Sequence, residues 1–299
     1  MINFYLPDFY FLYDANIKFI EYMQDNPEKF REGVSIGALY GSFPGMIWNG
    51  GRVNNLLAGF SNYDNIQGTI KSINSYGVAI RLTTTNLLIT EDHLNDIFCN
   101  KVLDVAARNE INEILVANDT LEEYVREKYP TLKIISSTTK CIYDKELLEK
   151  ELEKDYHLVV PSIKFNNTEE LFNISNPKKC EILVNNVCDQ NCKFEKLHYL
   201  QMSKNNAYMN TTRDMFHHGD LNFTCKSPYK KLDPVELLKQ NSACIDVDSL
   251  YNIYVKKGFE HFKLAGRTDG PNRALFFYVY YMVKPEYQME ALSYLLLSE

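Results

Sequence analysis

The chain repeats one alternation. A short, almost continuously apolar run is followed by a polar or amphipathic stretch, and then the pattern starts again. The runs are VSIGALYGS (34–42), GVAIRLTT (77–84), EILVAN (113–118), LKIISSTT (132–139), YHLVVPS (156–162), CEILVNN (180–186), SACID (242–246) and EHFKLAGR (260–267). Runs of this length without polar alternation are expected of parallel strands covered by helices. The segments between them have helical character. TEDHLNDIFCNKVLDVAARN places Leu94, Ile97, Phe98, Val102 and Val105 on one face, TLEEYVREKYP opens with a Thr cap and stops at Pro130, and DVDSLYNIYVKKG ends at Gly258. Eight strand–helix units predict an α/β fold, a (β/α)8 TIM-type barrel forming a single domain over 1–299. Residues 1–32 are expected to form an N-terminal cap. A long excursion, 200–241, would lie between the sixth and seventh strands. An open doubly wound sheet is the alternative, but no glycine fingerprint follows the first run.

In a barrel the C-terminal strand ends converge on one mouth, where active sites lie. Polar residues stand at these ends: Tyr40, Arg81, Asn86, Lys140, Asn185, Asn186, Asp246 and Arg267. The glycine stretch YGSFPGMIWNGGR (40–52) reads in two ways, as an anion cradle or as a tight turn anchored by Trp48. Its one charge, Arg52, is the group best suited to grip a carboxylate or phosphate. Tyr40, Arg52, Arg81, Asn86 and Arg267 are the candidate substrate-binding residues, and Lys140 and Asp246 the candidates for proton transfer.

The net charge of −7 and the lack of a basic stripe argue against a large nucleic-acid footprint. The first residues lack the features of a signal peptide. The apolar run ALFFYVYYMV is too short to span a bilayer, so a cytoplasmic location is expected. In a reducing compartment the seven cysteines are not expected to form structural disulfides. Cys188 and Cys192, with three residues between them, can reach one centre, and Cys225 follows in the excursion, within RDMFHHGDLNFTC. Three thiolates and a fourth ligand suit an iron–sulfur cluster. Zinc bound by three cysteines and His198, His217 or His218 is the alternative metal. Small-residue packing accounts for Cys99, Cys141 and Cys180 and leaves Cys244 open.

The segments LYGSFPGMIWNGGR, YPTLKIISSTTK, CEILVNNVCDQNCKFEKLHY and GFEHFKLAGR together resemble the collagenase-like peptidase family U-32, in particular its divergent barrel-only members. The resemblance is collinear over 34–270. It implies a 4Fe-4S cluster held by Cys188, Cys192 and Cys225, with the fourth position filled by His198 or Cys244 or left open to substrate. Members of the family carry out oxygen-independent hydroxylations on ubiquinone precursors, transfer RNA or ribosomal RNA. Several use prephenate as the apparent oxygen donor, and some work as paired subunits. The resemblance therefore implies an oxidoreductase acting on a small anionic molecule or a macromolecule. A noncatalytic partner subunit with a structural cluster is the alternative, and a peptidase the third reading. No HExxH or GxSxG motif supports the last.

Overall fold

The computed structural model describes residues 1–51, 61–212, 225–266 and 270–297. Eight parallel strands form one sheet: β1 (Ile2–Pro7), β2 (Val34–Gly41), β3 (Ala79–Thr84), β4 (Glu113–Val116), β5 (Lys133–Ser136), β6 (Leu158–Val159), β7 (Glu181–Leu183) and β8 (His261–Lys263). The order is β6-β5-β4-β3-β2-β1-β8-β7, and a single parallel bridge between Val159 and Cys180 joins the two ends. This is a (β/α)8 barrel, with helices such as Tyr13–Asp25, Tyr63–Ser75, Asp119–Lys128, Lys145–Glu153 and Pro271–Met282 around it.

The strands alternate between two environments. Phe4, Leu6, Leu39, Ile80, Leu82, Ile114, Val116, Ile182, Phe262 and Leu264 face outward into the large core shared with the helices. Tyr5, Ala38, Tyr40, Ala79, Leu115, Ile135, Leu158 and Val160 form a separate inner cluster. Gly37 is required by this inner packing, because a Cβ there would lie 2.8 Å from the Tyr5 ring.

Four expectations are corrected. Residues 1–32 are no cap: they supply β1, which pairs with both β2 and β8, and the first helix. The run 242–246 is not a strand. Ala243 and Ile245 are buried as a strand's residues would be, but side-chain amides replace the ladder. Asn166 Nδ2 donates to Ala243 O (2.7 Å), and Asn167 Nδ2 donates to Ser242 O and Cys244 O (2.9 Å each). The helix over 90–109 is broken into Glu91–Leu94 and Ile97–Ala106 by Asp96, whose carboxylate caps Cys99 N, and this leaves Ile97 exposed. The helix after β4 is capped by Asn118, which accepts from Leu121 N at 3.0 Å, and not by Thr120.

The barrel axis carries charge. Arg81, fully buried, donates to Glu113 Oε2 at 2.7 Å and to Glu181 Oε2, and its guanidinium lies 3.9 Å from the centre of the Tyr5 ring. Lys263 Nζ is 3.5 Å from Glu181 Oε1, and His157 Nε2 is 3.8 Å from Glu113 Oε1. Tyr5 OH meets His261 Nδ1 at 2.7 Å. The formal charges of Arg81 and Lys263 offset those of the two glutamates, as a buried charge layer requires.

Candidate functional site

Above this layer, at the C-terminal mouth, lies a cavity of about 720 Å³. Its floor and walls come from strand ends: Tyr40 on β2, Thr83 and Thr85 at β3, Leu115 on β4, Ser137–Thr139 after β5, Asn185 and Asn186 after β7, and Lys263 on β8. The rest of the wall comes from 187–202 and 225–227. Among the described residues the helix Glu195–Thr212 turns Glu195, His198, Tyr199 and Met202 to the cavity, the i, i+3, i+4, i+7 spacing of one helical face.

The glycine stretch is fixed by packing. Trp48 is buried, donates through Nε1 to His93 O at 2.9 Å and meets Tyr124 edge-on. A Cβ on Gly50 would sit 2.0 Å from Thr85 O, so this loop lies directly on the end of β3. Asn206 Nδ2, from the long helix, donates to Asn49 O at 2.5 Å and Gly51 O at 3.2 Å. Trp48 anchors the stretch by packing, as the turn reading expects. Arg52 lies outside the described residues, as do Arg267, His217 and His218.

The cysteines of the spacing argument share one wall. Cys188, Cys192 and Cys225 all line the cavity, partly buried and in no disulfide, and so does His198. Local turns set them there. Cys188 N donates to Asn186 Oδ1 (3.0 Å) and Cys192 N to Asp189 O (3.1 Å). Ser227 Oγ donates to Val187 O at 2.5 Å and so holds the Cys225 segment against the one bearing Cys188. Among the described residues, however, no group of three or more His, Cys, Asp or Glu is gathered closely enough to hold a metal ion. Cys244 points elsewhere: it is buried, its Sγ donates to Asn186 O at 3.4 Å, and burial pushes its thiol up to about 12.

Of the remaining candidates, Tyr40 lines the cavity, with its hydroxyl donating to Leu264 O at 2.6 Å. The others are corrected. Arg81 belongs to the axial charge layer beneath the cavity lining. Asn86 is a buried fastener that donates to Ile47 O (2.8 Å) and Ser203 O (3.1 Å), tying the glycine loop to the long helix. Lys140 turns away from the mouth into a cluster behind the strands, 2.8 Å from Glu151 Oε1, 2.7 Å from Tyr156 OH and 3.5 Å from Glu122 Oε2. Asp246 caps a helical turn, accepting from Ser249 N (2.9 Å) and Ser249 Oγ (2.7 Å).

Two buried charged cavity residues escaped the sequence reading. Lys263, the last residue of β8, is 7% exposed. Glu195 is also 7% exposed, and its Oε2 is buried without a hydrogen-bond partner. Burial raises its carboxyl above the usual range, against the opposing effects of a hydrogen bond with Tyr143 and the charge of Lys164.

No known family's sequence profile matches the chain, and no curated protein does. Among solved structures, the chain is similar to one described as the U32 peptidase Mk0906, with a TM-score of 0.51 and 12% sequence identity, covering 90% of this chain and 94% of that one. At that identity the likeness speaks for a shared fold.

Proposed function

We propose that this chain is an enzyme whose barrel-mouth cavity binds its substrate beside a 4Fe-4S cluster held by Cys188, Cys192 and Cys225, and that it performs an oxygen-independent redox modification, hydroxylation being the reaction the family resemblance implies. The observation that carries the reading is the presence of these three thiols, with His198, on the wall of one cavity. In donor type and in location these residues fit a cluster. The sulfurs are not gathered as a ligand set, so binding has to draw the three segments together, as metal sites commonly do when they form with their metal. When bound, the cluster would supply one-electron chemistry, and an iron lacking a thiolate would be open to a substrate oxygen. The protein's own part is to bind and orient. Tyr40 and Lys263 present polar groups from the floor, Thr83, Ser137 and Asn185 offer hydrogen bonds, and Met202 and Leu115 exclude water.

Anaerobic reconstitution of the full chain with ferrous iron and sulfide tests the cluster. The expected result is a chain that retains iron and sulfide with visible charge-transfer absorption, and loses both in Cys188→Ala, Cys192→Ala and Cys225→Ala. A chain that retains no iron, or that retains it in all three variants, removes the cluster from the proposal. A noncatalytic partner subunit is favoured by one observation, the exposed Met289, Tyr294, Leu296 and Leu297 along the helix Gln288–Leu297. A stable heteromeric complex lost on replacing Met289 and Leu297 by Ser would support that reading.

A further inference from the structure

One buried charge in the cavity is explained neither by the cysteines nor by the axial layer. Glu195 opens the long helix, lines the cavity and is buried. Its carboxyl has a hydrogen bond with Tyr143, but among the described residues Oε2 has no hydrogen-bond partner. Lys164 acts on the carboxyl through its charge, while its ammonium lies 3.8 Å from the centre of the Tyr143 ring. The last side-chain torsion of a glutamate is broad, so the unmet oxygen can turn toward a ligand. The other cations of the lining are engaged elsewhere. Lys263 belongs to the layer with Glu181, and Lys193 and Lys226 are exposed to solvent. An unmet carboxylate oxygen away from water is costly. A donor with a positive charge relieves both the missing bond and the buried charge, whereas a neutral donor relieves only the first.

We infer that the cavity takes a small organic amine, with its ammonium on Glu195 and its hydrocarbon body against the apolar lining of Leu115, Leu183, Val187 and Met202. The inference rests on reading the cavity as a ligand site and is independent of the cluster. A carboxylate ligand would meet Glu195 as a like charge, and a hydrocarbon without a donor would leave Oε2 unmet. An amine supplies the donor, the opposite charge and the apolar surface together.

The probes are primary alkylamines of increasing length, from propylamine to hexylamine, each compared with the alcohol and the alkanoate of equal length. Binding to the full chain is measured by calorimetry and saturation-transfer NMR. At least one amine is expected to bind about tenfold or more tighter than both of its counterparts. Glu195→Gln keeps the shape of the side chain and its capacity to accept from Tyr143 but removes the charge, and it should erase the preference. Asp189→Asn, which neutralises the other acid of the lining, should leave it in place. Amines that bind no better than the alcohols overturn the inference in the unaltered chain, so the test stands even if Glu195→Gln fails to fold. A preference unchanged in Glu195→Gln, or lost only in Asp189→Asn, overturns it as well. Iron retention measured on the same preparations separates the two proposals. A chain that retains no iron but prefers the amine defeats the cluster alone, and one that retains iron without that preference defeats this inference alone.

Discussion

Replacing Arg81 with methionine tests whether the axial charge layer is held by this one guanidinium. Arg81 is fully buried between Glu113 and Glu181 and stacked on Tyr5. Methionine keeps much of the side-chain volume but leaves two carboxylates in the barrel axis. The remaining cation is Lys263, 3.5 Å from Glu181, while His157, 3.8 Å from Glu113, is held by burial below the ordinary histidine range. Removing one member of a buried ion pair typically costs about 3–5 kcal/mol, and here one removal disrupts two pairs. The expected loss at neutral pH is at least about 3–5 kcal/mol, against a total stability of about 5–15 kcal/mol for a folded protein. The deficit should depend on pH. In the native protein burial raises the Glu181 carboxyl, but Arg81 and Lys263 outweigh it and hold the group below its ordinary range. Without Arg81 the burial effect prevails, and the folded state then binds protons more tightly than the unfolded chain. The variant's deficit should accordingly shrink as pH falls through the ordinary carboxylate range, near about pH 4. Urea unfolding followed by circular dichroism between neutral pH and about pH 4 measures this. A loss below about 1 kcal/mol, or a deficit that does not change with pH, would show that the charge layer is not held in this way.

The wild-type protein should lose stability in acid in two stages. Burial lowers His261 to about 4, so its contribution is present above the ordinary histidine range and is lost as pH falls from about 6.5 through about 4. Burial pushes Glu151 up, but hydrogen bonds from Lys140, Lys154 and Ser136 prevail and bring it to about 2, so its contribution disappears below the ordinary glutamate range. In both windows the unfolded chain binds more protons, and each group contributes a slope of at most about 1.4 kcal/mol per pH unit; His261→Gln should flatten the first stage in pH-dependent unfolding. Gly50→Ala should displace the glycine loop, because the added Cβ would meet Thr85 O at 2.0 Å. Limited proteolysis is expected to cleave near Trp48 faster in that variant, with the barrel's circular dichroism preserved.

What the sequence made legible follows from where the information lies. Long apolar runs with helical partners carry their own evidence, and β2–β8 all fall within them. β1 was hidden because INFYLP alternates outward Phe4 and Leu6 with inward Tyr5 and has no helix before it, so its strand character depends on pairing with residues 34–40 and 261–263. The run 242–246 misled because it buries like a strand, and its lack of a ladder is decided by asparagines 75–77 residues away in the chain, Asn166 and Asn167, and by Asn241 directly beside it. In the site, Cys188, Cys192 and Cys225 line one cavity, but they are not gathered as a ligand set. Position at a strand end could not say which way Lys140 turns, since Glu122 and Glu151 on neighbouring helices decide it. Glu195 was missed because a glutamate opening a helix ordinarily reads as a solvated complement to the helix dipole. Only tertiary packing beneath Tyr143 reveals that it is buried.

The barrel and the cysteine wall are held by different kinds of bond, and this bears on how a ligand could be closed in. From β8 through β1 to β6, backbone ladders pair neighbouring strands, while β6 and β7 meet through one bridge only. Beyond β7 the chain relies on side-chain ties. Asn185 Nδ2 donates to Ala265 O, Asn241 Nδ2 reaches Asn186 O and Cys188 O, Gln190 Nε2 reaches Lys164 O and Asn166 O, and Ser227 Oγ reaches Val187 O. Such bonds fix a segment at a few points and contribute about 1 kcal/mol each, whereas a ladder fixes every second residue of a strand. Small shifts of 186–192 and 225–227 therefore disturb few bonds, while the same shifts in β2 or β3 would break the sheet. The thiols stand on the part of the wall that can adjust, and Lys263 stands on the part that cannot. A ligand anchored at the rigid floor could thus be met from above by segments able to close on it, without the barrel itself having to move.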